Sequence, residues 1–366
     1  MDSFAGKLAV VTGGGSGMGR ELVRQLAAEG CSVAACDWHG DAVAATAAMA
    51  RDGAPADVLV TGHTCDVSDE SQVLQFCHDL LKEHGSDHVD LVISNAGVGG
   101  GNSFIKDSRQ DWERTFAIDW WGVYYCARAF LPLLIASSEG VLVNISSVNG
   151  FWASLGPGRP STAYSAAKFA VKGFSEALIE DLRTNAPHVH VAVAMPGHVG
   201  TDIVANSFRA HGMPAPEQMT DAQVQKLVGS ETLATLIQAG VLPAGASTED
   251  VRRLLIQANA DFRDKAPLSA AGAATIILDG VRSGTWRILV GEDAAMLDGR
   301  IRAHPEAAYD YAELFGMATG DKAGGAAGGE GRDGAVRDDA VRDGAVRDGA
   351  VRDDAVRDDA GAGADT

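Results

Sequence analysis

The chain has 366 residues, 46% of them hydrophobic, enough for a sizeable core in one large domain or two small ones. Its net charge of −19 argues against nucleic acid and acidic membrane surfaces as partners, and no apolar run approaches the roughly 18 residues of a membrane-spanning helix. Five cysteines without a CxxC and ten scattered histidines without an HExxH predict reduced thiols, no metal site and a cytoplasmic location.

The first strand-like run, KLAVVT (7–12), begins soon after an N-terminus without a basic leader and leads into TGGGSGMGRELVRQLAAEG (12–30). Glycines there let the chain turn tightly and let backbone N–H groups approach a pyrophosphate, while a helix over 17–29 points its positive end at it. GxGxxG matches in no register and no Lys-Ser/Thr pair follows, so a Walker A loop is excluded; the match is TGxxxGxG, at Thr12, Gly13, Gly17 and Gly19. The second strand, SVAACD (32–37), ends in Asp37, placed to accept both hydroxyls of an adenosine ribose and to repel a 2′-phosphate. Its neighbours Cys36, Trp38 and His39 include no Arg or Lys, which favours NAD over NADP.

Helices over 41–51 and 68–84 flank the strand VLVTGHT (58–64), and DLVISN (90–95), GVLVNIS (140–146), VHVAVAM (189–195) and RILVG (287–291) follow. A long helix over 108–136 and another over 163–185 separate them. Near-continuous apolar strands alternating with helices predict an α/β, Rossmann-type, doubly wound, mostly seven-stranded parallel sheet with helices on both faces and a ligand crevice at the strands' carboxyl ends. The irregular stretch 202–268, with helix starts at Thr220-Asp221 and Ser247-Thr248-Glu249-Asp250, sits where a substrate lid would lie.

In YSAAK (164–168), Tyr164 and Lys168 share one helix face a turn apart. An ammonium beside a phenol favours the phenolate and pulls its pKa down from near 10. TGGGSGMG, Asp37, Asp66-Val67, SNAG (94–97), NISS (144–147), YSAAK and PGHVGT (196–201), in that order, resemble the short-chain dehydrogenase/reductase family over about residues 5–300. The resemblance implies a nicotinamide cofactor and interconversion of a small-molecule secondary alcohol and ketone. It implies Gly13, Ser16, Gly17, Met18 and Gly19 around the pyrophosphate and ribose, and Asp66 and Val67 at the adenine. Asn95, Ala96 and Gly97 would line the cofactor, with Pro196, Gly197, Val199 and Thr201 at the nicotinamide and Lys168 on the ribose. Tyr164 is then the base or acid, and Ser147, the second of a serine pair, holds the substrate oxygen.

Two departures stand out. Asp119 occupies the place of an asparagine that in the family holds a proton-relaying water; its charge would favour the lysine's ammonium and oppose a phenolate. The stretch between Ser147 and Tyr164 is longer than usual, and Phe151 and Trp152 there either line the substrate side or plug the loop. Apolar residues of the lid stretch, Ile203, Val204, Phe208, Met213, Met219, Leu227 and Leu242, predict a lipophilic substrate. RILVGEDAAMLDGRIRAHPEAAYDYAELF (287–315) adds a helix that would touch a subunit partner or the lid, and a homo-dimer or tetramer is expected. Residues 1–315 thus form one catalytic domain. The tail 316–366, with its repeated RD(G/D)AV units, has no Leu, Ile or aromatic residue and is expected to be disordered. A non-catalytic dinucleotide sensor and a methyltransferase are the competing readings; neither needs Ser147, Tyr164 and Lys168 together.

Overall fold

The computed structural model describes residues 1–315; the expected tail lies outside them. In chain order the strands are β1 (Leu8–Thr12), β2 (Ser32–Asp37), β3 (Val60–Thr64), β4 (Leu91–Ser94), β5 (Gly140–Ile145), β6 (Val189–Pro196), β7 (Val199–Gly200), β8 (Leu268–Ser269) and β9 (Arg287–Val290). The helices are α1 (Gly17–Ala28), α2 (Gly40–Asp52), α3 (Glu70–His84), α4 (Arg109–Phe116), α5 (Gly122–Ala136) and α6 (Thr162–Asn185). They continue with α7 (Ile203–Ala210), α8 (Asp221–Gln238), α9 (Thr248–Asp264), α10 (Ala270–Arg282), α11 (Glu292–Ala303) and α12 (Tyr311–Phe315).

All seven expected strands join one parallel sheet in the order β3-β2-β1-β4-β5-β6-β9. β1 and β5 are buried along their whole length, as their unbroken apolar runs require. One face of the sheet packs Leu22, Leu26, Val43 and Ile277 beneath α1, α2 and α10; the other packs Phe76, Phe130 and Leu182 beneath α3, α5 and α6. The chain winds outward from β1 to β3 on one side and from β4 to β9 on the other. The loops leaving β1 and β4 therefore diverge and open a crevice at the carboxyl edge.

Local chemistry sets the helix ends. Asp69 Oδ1 accepts from Ser71 N at 2.9 Å to start α3, and Gly85, at φ +59°, ends it. Thr220 with Gln223 and Ser247 with Asp250 form capping boxes at the two starts anticipated between 202 and 268. The long helix expected over 108–136 is not uniform: a π-helical turn, Ala117–Trp121, joins α4 to α5. Its wider turn accommodates one extra residue and carries Asp119 to a fully buried position.

Candidate active site

The turn after β1 is closed by contacts that only glycine permits. Gly13 has φ +66°, and a Cβ there would stand 2.8 Å from Ala96 Cα; a Cβ on Gly19 would overlap the Gly13 carbonyl oxygen. Asn95 Nδ2 donates to the Thr12 carbonyl at 2.9 Å, and Thr12 Oγ1 accepts from the N–H groups of Asn95 (3.0 Å) and Ala96 (3.1 Å). These bonds fix the loop after β4 against the glycine turn. Ser16 makes no side-chain cap for α1, whose first turn carries no acidic side chain; its Oγ accepts from Asn206 Nδ2 at 3.0 Å instead. The positive helix end is thus left to an anion.

A cavity of about 420 Å³ follows, lined by Gly13, Ser16, Gly17, Met18, Asp37, Asp66, Val67, Asn95, Ala96, Gly97 and Thr201. Gly19 lies beneath it, buried in α1. Asp37 is anchored by both oxygens: Oδ2 accepts from Gly15 N at 3.0 Å and Oδ1 from His39 N at 2.9 Å. The Asp66 carboxylate is already occupied within the chain, by Ser68 Oγ at 2.6 Å and Arg114 Nη2 at 2.8 Å. Burial alone would raise its pKa, but the Ser68 and Arg114 hydrogen bonds outweigh burial and hold it below the usual carboxylate range.

A second cavity, about 560 Å³, shares Met18, Asn95, Gly97, Thr201 and Ile203 with the first and continues past Ser147, Tyr164 and Lys168. Tyr164 and Lys168 lie in the first two turns of α6, with Lys168 Nζ 5.4 Å from the phenol ring centroid. Lys168 Nζ donates to the Ile145 carbonyl at 3.2 Å and stands 3.9 Å from Asp119 Oδ1. Ser147 and Tyr164 both line this cavity, and the Ser147 hydroxyl pulls the Tyr164 pKa down. Ser146 turns away, donating to the Lys168 carbonyl at 2.8 Å, so the serine pair divides as strand alternation predicts. Pro196, Gly197 and Val199 line the same cavity.

Asp119 lines neither cavity and lies behind Lys168. Its Oδ1 accepts from Val98 N at 2.8 Å, and Oδ2 is buried without a hydrogen-bond partner. Burial pushes its pKa up to about 6 against the opposing pull of Lys168. Lys168 acts on Tyr164 in the expected direction and lowers its pKa, but it does not prevail alone. Among the chain's own groups burial dominates and raises it; Lys168 and Ser147 pull it down, while Asp119 pushes it further up.

A family model, short chain dehydrogenase, matches residues 7–212. The chain belongs to that family. The Mycobacterium tuberculosis protein SadH, which carries an oxidoreductase name, is 33% identical over 298 residues, 81% of this chain and 91% of that protein. A 2-dehydro-3-deoxy-L-rhamnonate dehydrogenase (NAD(+)) of Sphingomonas sp. is 35% identical over 226 residues, 60% of this chain and 78% of that one. Among solved structures, a short chain dehydrogenase/reductase of Burkholderia phymatum in complex with NAD superposes with a TM-score of 0.64 at 28% identity, over 84% of this chain and 95% of that one. The chain is thus an oxidoreductase of this family.

Several parts of this dehydrogenase's site were not anticipated. Arg20, Arg114 and Arg209 join the first cavity's lining, although Asp37's sequence neighbours include no arginine; Arg20 Nη2 donates to the Gly15 carbonyl at 2.6 Å. Of the apolar residues expected between 202 and 268, Ile203 and Val204 reach the second cavity. Met219 and Leu242 pack into a separate cluster with Val224 and Val251, joined by Phe208 and Met213, and Leu227 is exposed. The wall they were expected to form comes from the C-terminal segment: Met296 and Leu297 of α11 and Phe315 of α12. Trp152 does both things left open for it. It lines the cavity, and it packs beneath Leu297, Ala308 and Leu314, its Nε1 donating to the Ala308 carbonyl at 2.6 Å.

Proposed function

We propose that this dehydrogenase interconverts a lipophilic secondary alcohol and its ketone with NAD, using Tyr164, Lys168 and Ser147. The observation that carries the reading is the meeting of the two cavities at these three side chains. Gly13, Ser16, Gly17, Met18 and Gly19 would hold the pyrophosphate side of the dinucleotide, and Gly19's lack of a Cβ suits such a cradle. Asp37 would take the adenosine ribose hydroxyls. Asp66, its carboxylate engaged by Arg114, would reach the adenine together with Val67, and Asn95, Ala96, Gly97, Pro196, Gly197, Val199 and Thr201 would line the remainder. The Asp37 carboxylate would repel a 2′-phosphate, and Arg20 is held to the Gly15 carbonyl, which favours NAD over NADP.

A bound nicotinamide supplies the hydride acceptor. Ser147 orients the substrate hydroxyl toward Tyr164 and steadies charge on its oxygen. Tyr164 takes the hydroxyl proton in oxidation and returns it in reduction; Lys168 supplies positive charge that favours the phenolate. Asp119 would accept from a water behind Lys168. The segment 202–268 acts as the lid, and residues 1–315 as the catalytic domain. The apolar second cavity, with Trp152, Val204, Phe262, Met296 and Phe315 in its walls, supports the lipophilic substrate. The odd count of five cysteines, with no CxxC, supports a cytoplasmic setting. Exposed Trp121 and Phe169 on the outer helices support a homo-dimer or tetramer.

Tyr164→Phe tests the reading: turnover of a panel of ketones with NADH should fall by about 10³-fold, while NADH binding, followed by its fluorescence, persists. Undiminished turnover would overturn it. A catalytically weak sensor is the second reading, favoured by the negative charge that Asp119 places beside Lys168.

A further inference from the structure

The second cavity holds an ionisable side chain that the proposed chemistry does not use. Asp293, in the first turn of α11, is the one carboxylate among the described residues that line it, and Lys168 is the one lysine or arginine. Asp293 shares a helix face with Met296 and Leu297, three and four positions on, and all three reach the cavity. Its carboxylate is fixed in place. Oδ2 accepts from His198 N at 2.7 Å and Oδ1 from Ala294 N at 2.9 Å. A Cβ at Gly197 would overlap this carboxylate, and one at Gly291 would stand 2.5 Å from Oδ1. His198 Nε2 in turn donates to the Phe262 carbonyl at 2.8 Å, and Phe262 is another wall of the cavity.

A carboxylate only accepts hydrogen bonds, and two of its lone pairs are taken by the backbone. In a largely apolar cavity its charge is weakly screened. Lys168 offers little compensation, since Asp119 faces it at 3.9 Å. We propose that Asp293 is a specificity-determining residue that restricts the substrates to neutral or cationic lipophilic alcohols and ketones and rejects those bearing a carboxylate or phosphate near that end. The inference rests on the dehydrogenase reading above.

Three methyl ketones of matched chain length test it, ending in a methyl ester, a free carboxylate or a trimethylammonium group, each assayed with NADH. The native protein should use the ester and the ammonium compound with kcat/KM at least about tenfold above the carboxylate. Asp293→Asn retains an acceptor for His198 N and should narrow that ratio to within about threefold, whereas Asp293→Glu, which retains the charge, should preserve it. The ratio is the readout, so a general loss of activity from a disturbed 196–201 loop leaves it interpretable. A merely structural aspartate would lower all three rates together and leave the ratio unmoved. Turnover of all three without discrimination by the native protein, or an unchanged ratio in Asp293→Asn, overturns the inference alone. Turnover of none brings down the dehydrogenase reading and this inference with it.

Discussion

The two cavities are built by different physics. The first is shaped by what backbone forbids: Gly13 and Gly19 are glycine because a neighbouring main chain occupies the space of a Cβ, and Thr12 and Asn95 tie that main chain with hydrogen bonds. The second is shaped by side chains that arrive from far along the sequence, as Trp152 and Ala308 do. A cavity made from close backbone approach tolerates few substitutions and holds one kind of ligand. A cavity made from apolar side chains can be recut one residue at a time. Variants in the first should therefore act on dinucleotide affinity, and variants in the second on substrate KM.

The largest effect on cofactor affinity is expected at Gly19. In Gly19→Ala the new methyl meets the Gly13 carbonyl and comes within 2.6 Å of Asn95 Nδ2, so the turn must open. NADH affinity, measured by fluorescence titration, should fall by more than about 100-fold. Near-native affinity would break the contrast between the cavities. Next comes Asp37→Ser, which removes the carboxylate that a 2′-phosphate would meet. The ratio of kcat/KM for NADH over NADPH should drop by about tenfold or more. An unchanged ratio would mean that Asp37 does not decide the cofactor. On the substrate side, Tyr311→Phe deletes the hydroxyl that contacts Ser154 Oγ at 2.6 Å, the link between α12 and the loop over 151–160. A cost of about 1 kcal/mol to that contact should raise the substrate KM several-fold and leave NADH affinity alone. A change in NADH affinity instead would show that the two cavities are not separable.

The same division governs how much was legible beforehand. The sheet, the glycine turn, Asp37 and the Tyr164–Lys168 pair rest on local spacing, and all seven strands of the sheet were readable as apolar runs between turn residues. The helix starts at Thr220 and Ser247 were readable for the same reason, since each cap is complete within four residues. What the spacing did not reveal is non-local. The apolar lid residues suggest a pocket wall equally well whether they face the cavity or one another. Met219 and Leu242 face Val224 and Val251, and the wall falls to Met296, Leu297 and Phe315, whose mixed apolar and charged surroundings resemble an ordinary surface helix. Asp293 carries no motif. Only the approach of Gly197 and His198 gives it a place.

Asp119 combines both kinds of problem, and it yields the most diagnostic effect. Its position in the family pattern was readable, but the π-helical turn that buries it was not, and burial is what holds its carboxyl near 6 rather than 3.8. Because the folded protein binds this proton more tightly than the unfolded chain, its contribution to stability is lost as pH rises from about 4 to about 6, and stays lost above. At neutral pH the deficit is about 3 kcal/mol. Asp119→Asn should therefore show little thermal advantage over the native protein at pH 4 and a clear one at pH 7. An advantage that is constant across this range would rule out titration of Asp119 as its source. The amide also removes a negative charge that raises Tyr164, so the rising limb of the oxidative pH–rate profile should move to lower pH by under about one pH unit. A limb that moves upward instead would mean that Asp119 assists Tyr164 through Lys168 more than it opposes it directly. The carboxylate would then belong to the proton path and not to its cost.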